Sequence, residues 1–214
     1  MPTAASAGQL EVMKWARANG CPWDSNTCTF AASGGHLEVL KWARENGCDW
    51  DVFTCSAAAA KGHLETLIWA RQNGCNVNTF MCASAAKGGH LEILKWARAN
   101  GCEWSRTTCT FAAGSGHLEV LKRVRENKCE WNAETCMAAA KGGHLEVLKW
   151  ARLNGCEWNA RMTVDLAVKY GHLEVVQWAL NNGCSDWYDD ILISAAKYEQ
   201  KHIVQWLEAN RDTM

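Results

Sequence analysis

Seven histidines and twelve cysteines are the residues of this 214-residue chain with the most chemical potential. His36, His63, His90, His117 and His144 recur every 27 residues, and each is followed by Leu-Glu. Gln9 holds the slot one period earlier, and His172 and His202 hold it after steps of 28 and 30. The cysteines form two rows: Cys21, Cys48, Cys75, Cys102, Cys129, Cys156 and Cys184, and Cys28, Cys55, Cys82, Cys109 and Cys136. Imidazole and thiolate together could hold a metal, and Cys21, Cys28 and His36 recur as a C-x6-C-x7-H set. The spacing lacks the paired C-x2-C knuckle of familiar zinc sites. A histidine in one slot of every repeat, with no recurring acid–base partner, reads as packing and hydrogen bonding rather than catalysis. Residues at equivalent places in stacked repeats sit roughly 8–10 Å apart. Same-row disulfides need Cα atoms within about 7 Å and are not expected. With no secretory signal read at Met1–Leu10, free thiols in a reducing, intracellular and cytoplasmic setting are expected.

The elements carrying these residues follow from the repeat at 22–48, PWDSNTCTFAASGGHLEVLKWARENGC. A first helix is expected from Ser25 to Ser33, rich in small residues. Gly34-Gly35 breaks it. A second runs from about His36 to Asn46, with Leu37, Leu40, Trp42 and Ala43 at helical spacing. Glu38 early and Lys41 and Arg44 late complement the helix dipole. Asn46-Gly47 is a stop that recurs down the chain. At Lys128 the stop glycine is missing, and strain of roughly 1 kcal/mol or a different turn is expected there. One such unit cannot bury its own apolar faces, so the units must stack.

The tryptophans form two rows as well. One lies on the second helices (Trp15, Trp42, Trp69, Trp96, Trp150, Trp178, Trp206), the other after the Gly-Cys turns (Trp23, Trp50, Trp104, Trp131, Trp158, Trp187). Aromatic rows could stack bases, but no basic groove accompanies them, and a spine between repeats is the favoured reading. Arg123 and Val77 interrupt the rows. A net charge of −1, with basic and acidic residues interleaved, argues against nucleic acid and an anionic membrane surface. No run of about 18 apolar residues is present, so no membrane span is expected. The phosphate-binding, zinc-protease, serine-hydrolase and dinucleotide motifs are missing.

The stretch Ala-Ala-x-x-Gly-His-Leu-Glu-Val-Leu-Lys, ending in Gly-Cys-x-Trp-Asp/Asn, resembles the ankyrin repeat. It runs without a gap from Ala31 to Asp51 and again from Ala58, Ala85, Ala112 and Ala139. The family repeat has about 33 residues; this one has 27, and the shortfall, between Asp24 and Thr27, falls where the family builds a β-hairpin finger. The family's Thr-Pro-Leu-His opening is replaced by Thr-Cys, as at Thr27-Cys28. A tetratricopeptide array, at about 34 residues, fits less well.

The resemblance implies an all-α, ankyrin-like helix–turn–helix solenoid of about eight short repeats, with little or no finger. It covers 1–214 as one domain: a partial cap at 1–21, repeats at 22–48, 49–75, 76–102, 103–129, 130–156 and 157–184, and a C-terminal cap at 185–214. It also puts the cysteine rows where the family buries Ala and Leu. It implies a non-catalytic scaffold binding a protein partner; a monomer without cofactor or metal, binding neither nucleic acid nor membrane, is expected. The alternative kept beside it is a metal- or thiol-based sensor using the cysteine rows.

Between repeats, the positions that vary most are candidates for partner contact. After the Trp-Asp turn these are Ser25, Asn26, Val52, Phe53, Thr79, Phe80, Arg106, Thr107, Ala133 and Glu134. Near the Gly-His turn they are Lys61, Lys87, Ser115, Lys141, Lys169 and Tyr170. In the resembled family, finger and first-helix positions line a concave binding face. That places Phe53 and Phe80 as apolar anchors and the lysines as a basic rim.

Overall fold

In the computed structural model, residues 1–211 are described, and their regular structure is helical throughout, with no strand. The helices come in pairs. The first pair is a short α1 (Pro2–Ser6) with α2 (Leu10–Ala18); α3 (Ser25–Ser33) and α4 (Leu37–Glu45) follow. Next are α5 (Val52–Lys61) with α6 (Leu64–Gln72), and α7 (Thr79–Lys87) with α8 (Leu91–Ala99). Then come α9 (Arg106–Gly114) with α10 (Leu118–Glu126), and α11 (Ala133–Lys141) with α12 (Leu145–Leu153). The last are α13 (Ala160–Lys169) with α14 (Leu173–Ala179), and α15 (Tyr188–Lys197) with α16 (Lys201–Asn210). The C-terminal cap expected at 185–214 is thus a full helix pair, and residues 212–214 lie outside the described residues. The chain forms two compact units, residues 1–108 and 109–214.

Local chemistry sets the boundaries. Five of the first helices, α3, α5, α7, α11 and α13, start at an Asp or Asn whose side chain accepts a backbone N–H two or three residues in. Asp24 accepts from Asn26 at 3.1 Å, Asp51 from Phe53 at 2.9 Å, Asn78 from Met81 at 3.0 Å and Asn132 from Glu134 at 3.1 Å. These are N-caps, satisfying donors that the helix itself leaves open. Second helices end at an asparagine whose amide turns back onto the last-turn carbonyl, as from Asn46 to Trp42 at 2.8 Å. The glycine after it takes a left-handed conformation, with φ of +80° at Gly47.

Lys128 fills that glycine position in its repeat and still adopts φ of +60°. The left-handed conformation is therefore kept at a steric cost that glycine avoids. Lys128→Gly is expected to raise stability by about 1 kcal/mol, readable as a higher urea midpoint at unchanged slope.

Small residues let the first helices pack closely: α1 against α3, α3 against α5 and α5 against α7 in one unit, and α11 against α13 and α13 against α15 in the other. Ala31, Ala32, Ala58, Ala59, Ala85 and Ala86 are all fully buried there. Second helices each bury one apolar stripe, such as Val39, Leu40 and Ala43 on α4. A row of threonines also goes inside, and the hydroxyls of Thr27, Thr135 and Thr163 meet no hydrogen-bond partner.

Candidate functional site

The histidines cross from one repeat to the one before. His36 Nε2 lies 2.9 Å from the Ser6 carbonyl, His63 Nε2 3.1 Å from that of Ser33 and His90 Nε2 3.1 Å from that of Ala60. In the second unit His172 reaches Lys141 at 2.9 Å and His202 reaches Gly171 at 3.0 Å. The accepting carbonyls sit at the ends of first helices, where the helix provides no partner of its own. An imidazole N–H donating there is a latch between repeats.

The rings of His36, His63, His90, His144 and His172 also lie close against a left-handed glycine of the preceding repeat. A Cβ on Gly8, Gly35 or Gly62 would come within 2.5–2.7 Å of the imidazole of His36, His63 or His90. Burial lowers the pKa of His144 below the ordinary histidine value, so its neutral form is favoured. Backbone carbonyls and glycine faces surround these rings, a structural environment rather than an acid–base one.

The sixteen candidate contact residues separate into two strips. Ser25, Asn26, Val52, Phe53, Thr79, Phe80, Arg106, Thr107, Ala133 and Glu134 lie at the N-terminal ends of the first helices. Lys61, Lys87, Ser115, Lys141, Lys169 and Tyr170 lie at their C-terminal ends or in the turn beyond. At 1.5 Å per residue the strips are about 12 Å apart along each helix. All sixteen are exposed or half-exposed.

In the N-terminal strip Phe53 and Phe80 meet edge to face, with ring centroids 6.3 Å apart, and remain 55% and 48% exposed. Val52, beside them, is 41% exposed. Ser25 instead donates to the Asp51 carboxylate at 3.1 Å and helps tie one repeat to the next. In the C-terminal strip of the second unit, lysines and tyrosines alternate. Lys141 sits 5.2 Å from the centre of the Tyr170 ring; Lys169 lies 5.9 Å from Tyr170 and 5.7 Å from Tyr198. Lys197 completes the series, 5.4 Å from Tyr198.

Tyr198 and Lys197 escape a comparison of repeats because their unit departs from the 27-residue period. The second-helix lysines behave differently. Lys14, Lys41, Lys95, Lys122 and Lys149 each pair at 2.7–2.8 Å with a glutamate three residues back.

The two tryptophan rows interlock. Trp23 and Trp42, Trp50 and Trp69, Trp131 and Trp150, and Trp158 and Trp178 meet edge to face with centroids 5.5–5.9 Å apart. An arginine of the preceding repeat covers the other side: Arg17 lies 4.4 Å from the Trp23 ring centre and Arg44 4.4 Å from that of Trp50. The spine therefore alternates guanidinium and indole, and it is half-buried rather than a dry core. Trp104, in the repeat whose second-helix tryptophan is replaced by Arg123, keeps a buried indole N–H without an acceptor.

The cysteine rows meet each other, not themselves. The first-helix thiol and the thiol 20 residues later, in the turn after the second helix, touch. Cys82 Sγ and Cys102 Sγ are 3.0 Å apart. Cys28 Sγ lies 3.8 Å from the Cys48 carbonyl, and the same first-helix and turn cysteines recur as Cys55 and Cys75, Cys109 and Cys129, and Cys136 and Cys156. The constant separation of 20 was the available signal; comparing equivalent positions only looks along a row.

No group of three or more His, Cys, Asp or Glu among the described residues is arranged to hold a metal ion. No helix among them is long and apolar enough to cross a membrane. A cleft of about 180 Å³ beside α13 and α15, bridged by Arg161 and Asp190 at 3.1 Å, falls below the usual size of a ligand pocket.

Comparison with curated proteins finds no match. Residues 135–213 match the family model for ankyrin repeats, in 3 copies. The same paired helices, with the same Gly-His latch and Asn-Gly stop, fill the residues before that match. Over residues 135–213 the chain is thus similar to ankyrin repeats.

Proposed function

We propose that the chain is a non-catalytic, monomeric protein-binding module that recognises a protein partner along the exposed ends of its first helices, acting as a single repeat domain inside the cell. Ankyrin repeats generally mediate protein–protein interaction. The observation that carries the reading is the Phe53–Phe80 pair. Two large rings in mutual contact stay about half exposed on adjacent repeats, although the repeats on either side hold polar residues there, Asn26 and Thr107. Rigid aromatic side chains give contact area at low entropic cost and dominate the energetics of interfaces. Being fixed on a preformed helical frame, they lose little freedom on binding.

The test is an affinity capture from source-cell lysate with wild type beside Phe53→Ala/Phe80→Ala, followed by titration of any protein captured. A partner whose affinity drops about 30-fold or more in the variant, with helicity unchanged by circular dichroism, is the expected result. Equal affinity for both chains rejects this face.

The sensor alternative divides. The metal arm draws no support from the arrangement of the histidines, which bond to carbonyls. The thiol arm is favoured by the contacts between the two cysteine rows.

A further inference from the structure

Twelve cysteines resolve into five pairs and two singles. The pairs are Cys28–Cys48, Cys55–Cys75, Cys82–Cys102, Cys109–Cys129 and Cys136–Cys156. Cys21 and Cys184 are single because the place 20 residues earlier holds Met1 and Val164. None of the twelve is in a disulfide, and the ten paired ones are buried. A buried cysteine usually serves as a small apolar residue and needs no second sulfur beside it. Here the sulfurs of Cys82 and Cys102 lie 3.0 Å apart and the Cys28 thiol reaches the Cys48 carbonyl at 3.8 Å, and the same 20-residue spacing recurs in five consecutive repeats.

The two members of a pair also differ chemically. The turn sulfurs meet a first-helix cap carbonyl, as Cys48 does that of Asp24 at 3.3 Å, and hydrogen bonding to the neighbouring thiol of the pair holds Cys48, Cys75, Cys102 and Cys156 below the ordinary thiol value. The same hydrogen bond, with burial, pushes Cys28, Cys55, Cys109 and Cys136 up. Arginines of the second helices lie beside the turns: Arg44 donates to the Cys48 carbonyl at 2.6 Å and Arg152 to that of Cys156 at 3.1 Å. In Cys28–Cys48, Cys55–Cys75 and Cys136–Cys156 the turn thiol is thus the more readily ionised member. That is the arrangement of an attacking and a resolving thiol.

We propose that the five pairs are peroxide-oxidisable dithiols, each closing an intrarepeat disulfide between the first helix and the turn after the second. The step balances with hydrogen peroxide as oxidant. The Cys102 thiolate attacks one peroxide oxygen; an S–O bond forms, the O–O bond breaks, and the departing hydroxide takes a proton to become water. Cys82 Sγ then attacks the sulfenic sulfur of Cys102. The S–S bond forms, the S–O bond breaks, and the leaving hydroxide takes the Cys82 proton as a second water. Each sulfur loses one electron and each peroxide oxygen gains one.

The crosslink spans 20 residues, so it restricts the unfolded chain more than the folded one and stiffens its repeat. Reactivity is graded by access. Cys102 and Cys129 are the most exposed of the paired sulfurs, at 7% and 5%, against 1% for Cys48, Cys75 and Cys156. Their pairs close first.

The experiment treats the reduced full chain with hydrogen peroxide, blocks remaining thiols, and maps the peptides without reduction by mass spectrometry. The expected result is links between residues 20 apart, Cys82–Cys102 and Cys109–Cys129 earliest, with Cys21 and Cys184 still alkylatable and the melting temperature raised. Same-row links, intermolecular links, or ten unreacted thiols in a chain that keeps its helicity overturn the proposal. Cys82→Ala serves as the second variant. It should leave Cys102 as a sulfenic acid that dimedone traps, while the other four links form as before. A dimedone-negative Cys102 in that variant also overturns it.

Discussion

Replacing Gly62 with alanine is expected to destabilise the protein by about 2–4 kcal/mol, the sum of a left-handed backbone penalty and an overpacking penalty. Gly62 has φ of +84°, and a Cβ placed on it would lie 2.7 Å from Cε1 of His90. The ring cannot simply withdraw, because its Nε2 is held to the Ala60 carbonyl at 3.1 Å. Either the latch opens, leaving a helix-end carbonyl without its partner, or the two repeats separate locally. Gly74 isolates the first component: φ is +88° and nothing lies within 4 Å of its hypothetical Cβ. Gly74→Ala should therefore cost about 1 kcal/mol, the backbone term alone. Urea denaturation of both variants gives the comparison. Equal losses at the two sites would show that the histidine latch carries no packing constraint.

Leu148→Ala should cost about 2–5 kcal/mol, and Leu153→Ala on the same helix should stay within about 0.5 kcal/mol of wild type. Leu148 is fully buried in α12, beside the buried Val147 and Ala151 of the helix that packs on α11, whereas Leu153 is 87% exposed at the helix end. Truncating Leu148 removes apolar area from a close-packed stripe and leaves a cavity that rigid alanine-rich neighbours cannot fill. The two leucines share residue type, helix and distance from the ends of the chain. The difference measures stacking alone, and it is read by thermal or chemical unfolding. A similar loss at both sites would place the core of this unit elsewhere.

Repetition made the local structure legible. Ser25–Ser33 was expected as the first helix and forms as such. The second spans Leu37–Glu45, with His36 and Asn46 as its caps. The signals there are short-range: two glycines, an Asn-Gly stop and a helical apolar period act within a few residues of the backbone they shape. Lys128 belongs to the same class; its missing glycine predicts strain, and its φ of +60° carries it.

The single-slot histidines could likewise be assigned a structural role, because a catalytic residue has no reason to be copied into every repeat. Their acceptors could not be named. The carbonyl that each ring meets lies about 30 residues upstream, at the end of another helix.

What tertiary structure alone decided is which rows face which. A 27-residue period compares each residue only with its own kind one repeat away. It carries no information about how the second helix folds back on the first. That fold-back brings the Cys28 thiol to the Cys48 carbonyl and Trp23 to Trp42. It also places the candidate contact residues at opposite ends of the first helices, so Phe53 and Lys61 belong to separate strips despite lying eight residues apart on one helix. Phe53 and Phe80 were legible as a pair from their shared register; only stacking shows that their rings touch and still face outward. The physical reason is range. Caps and turns are decided by neighbours along the chain, whereas contact between rows is decided by the packing of helices that no single repeat can bury alone.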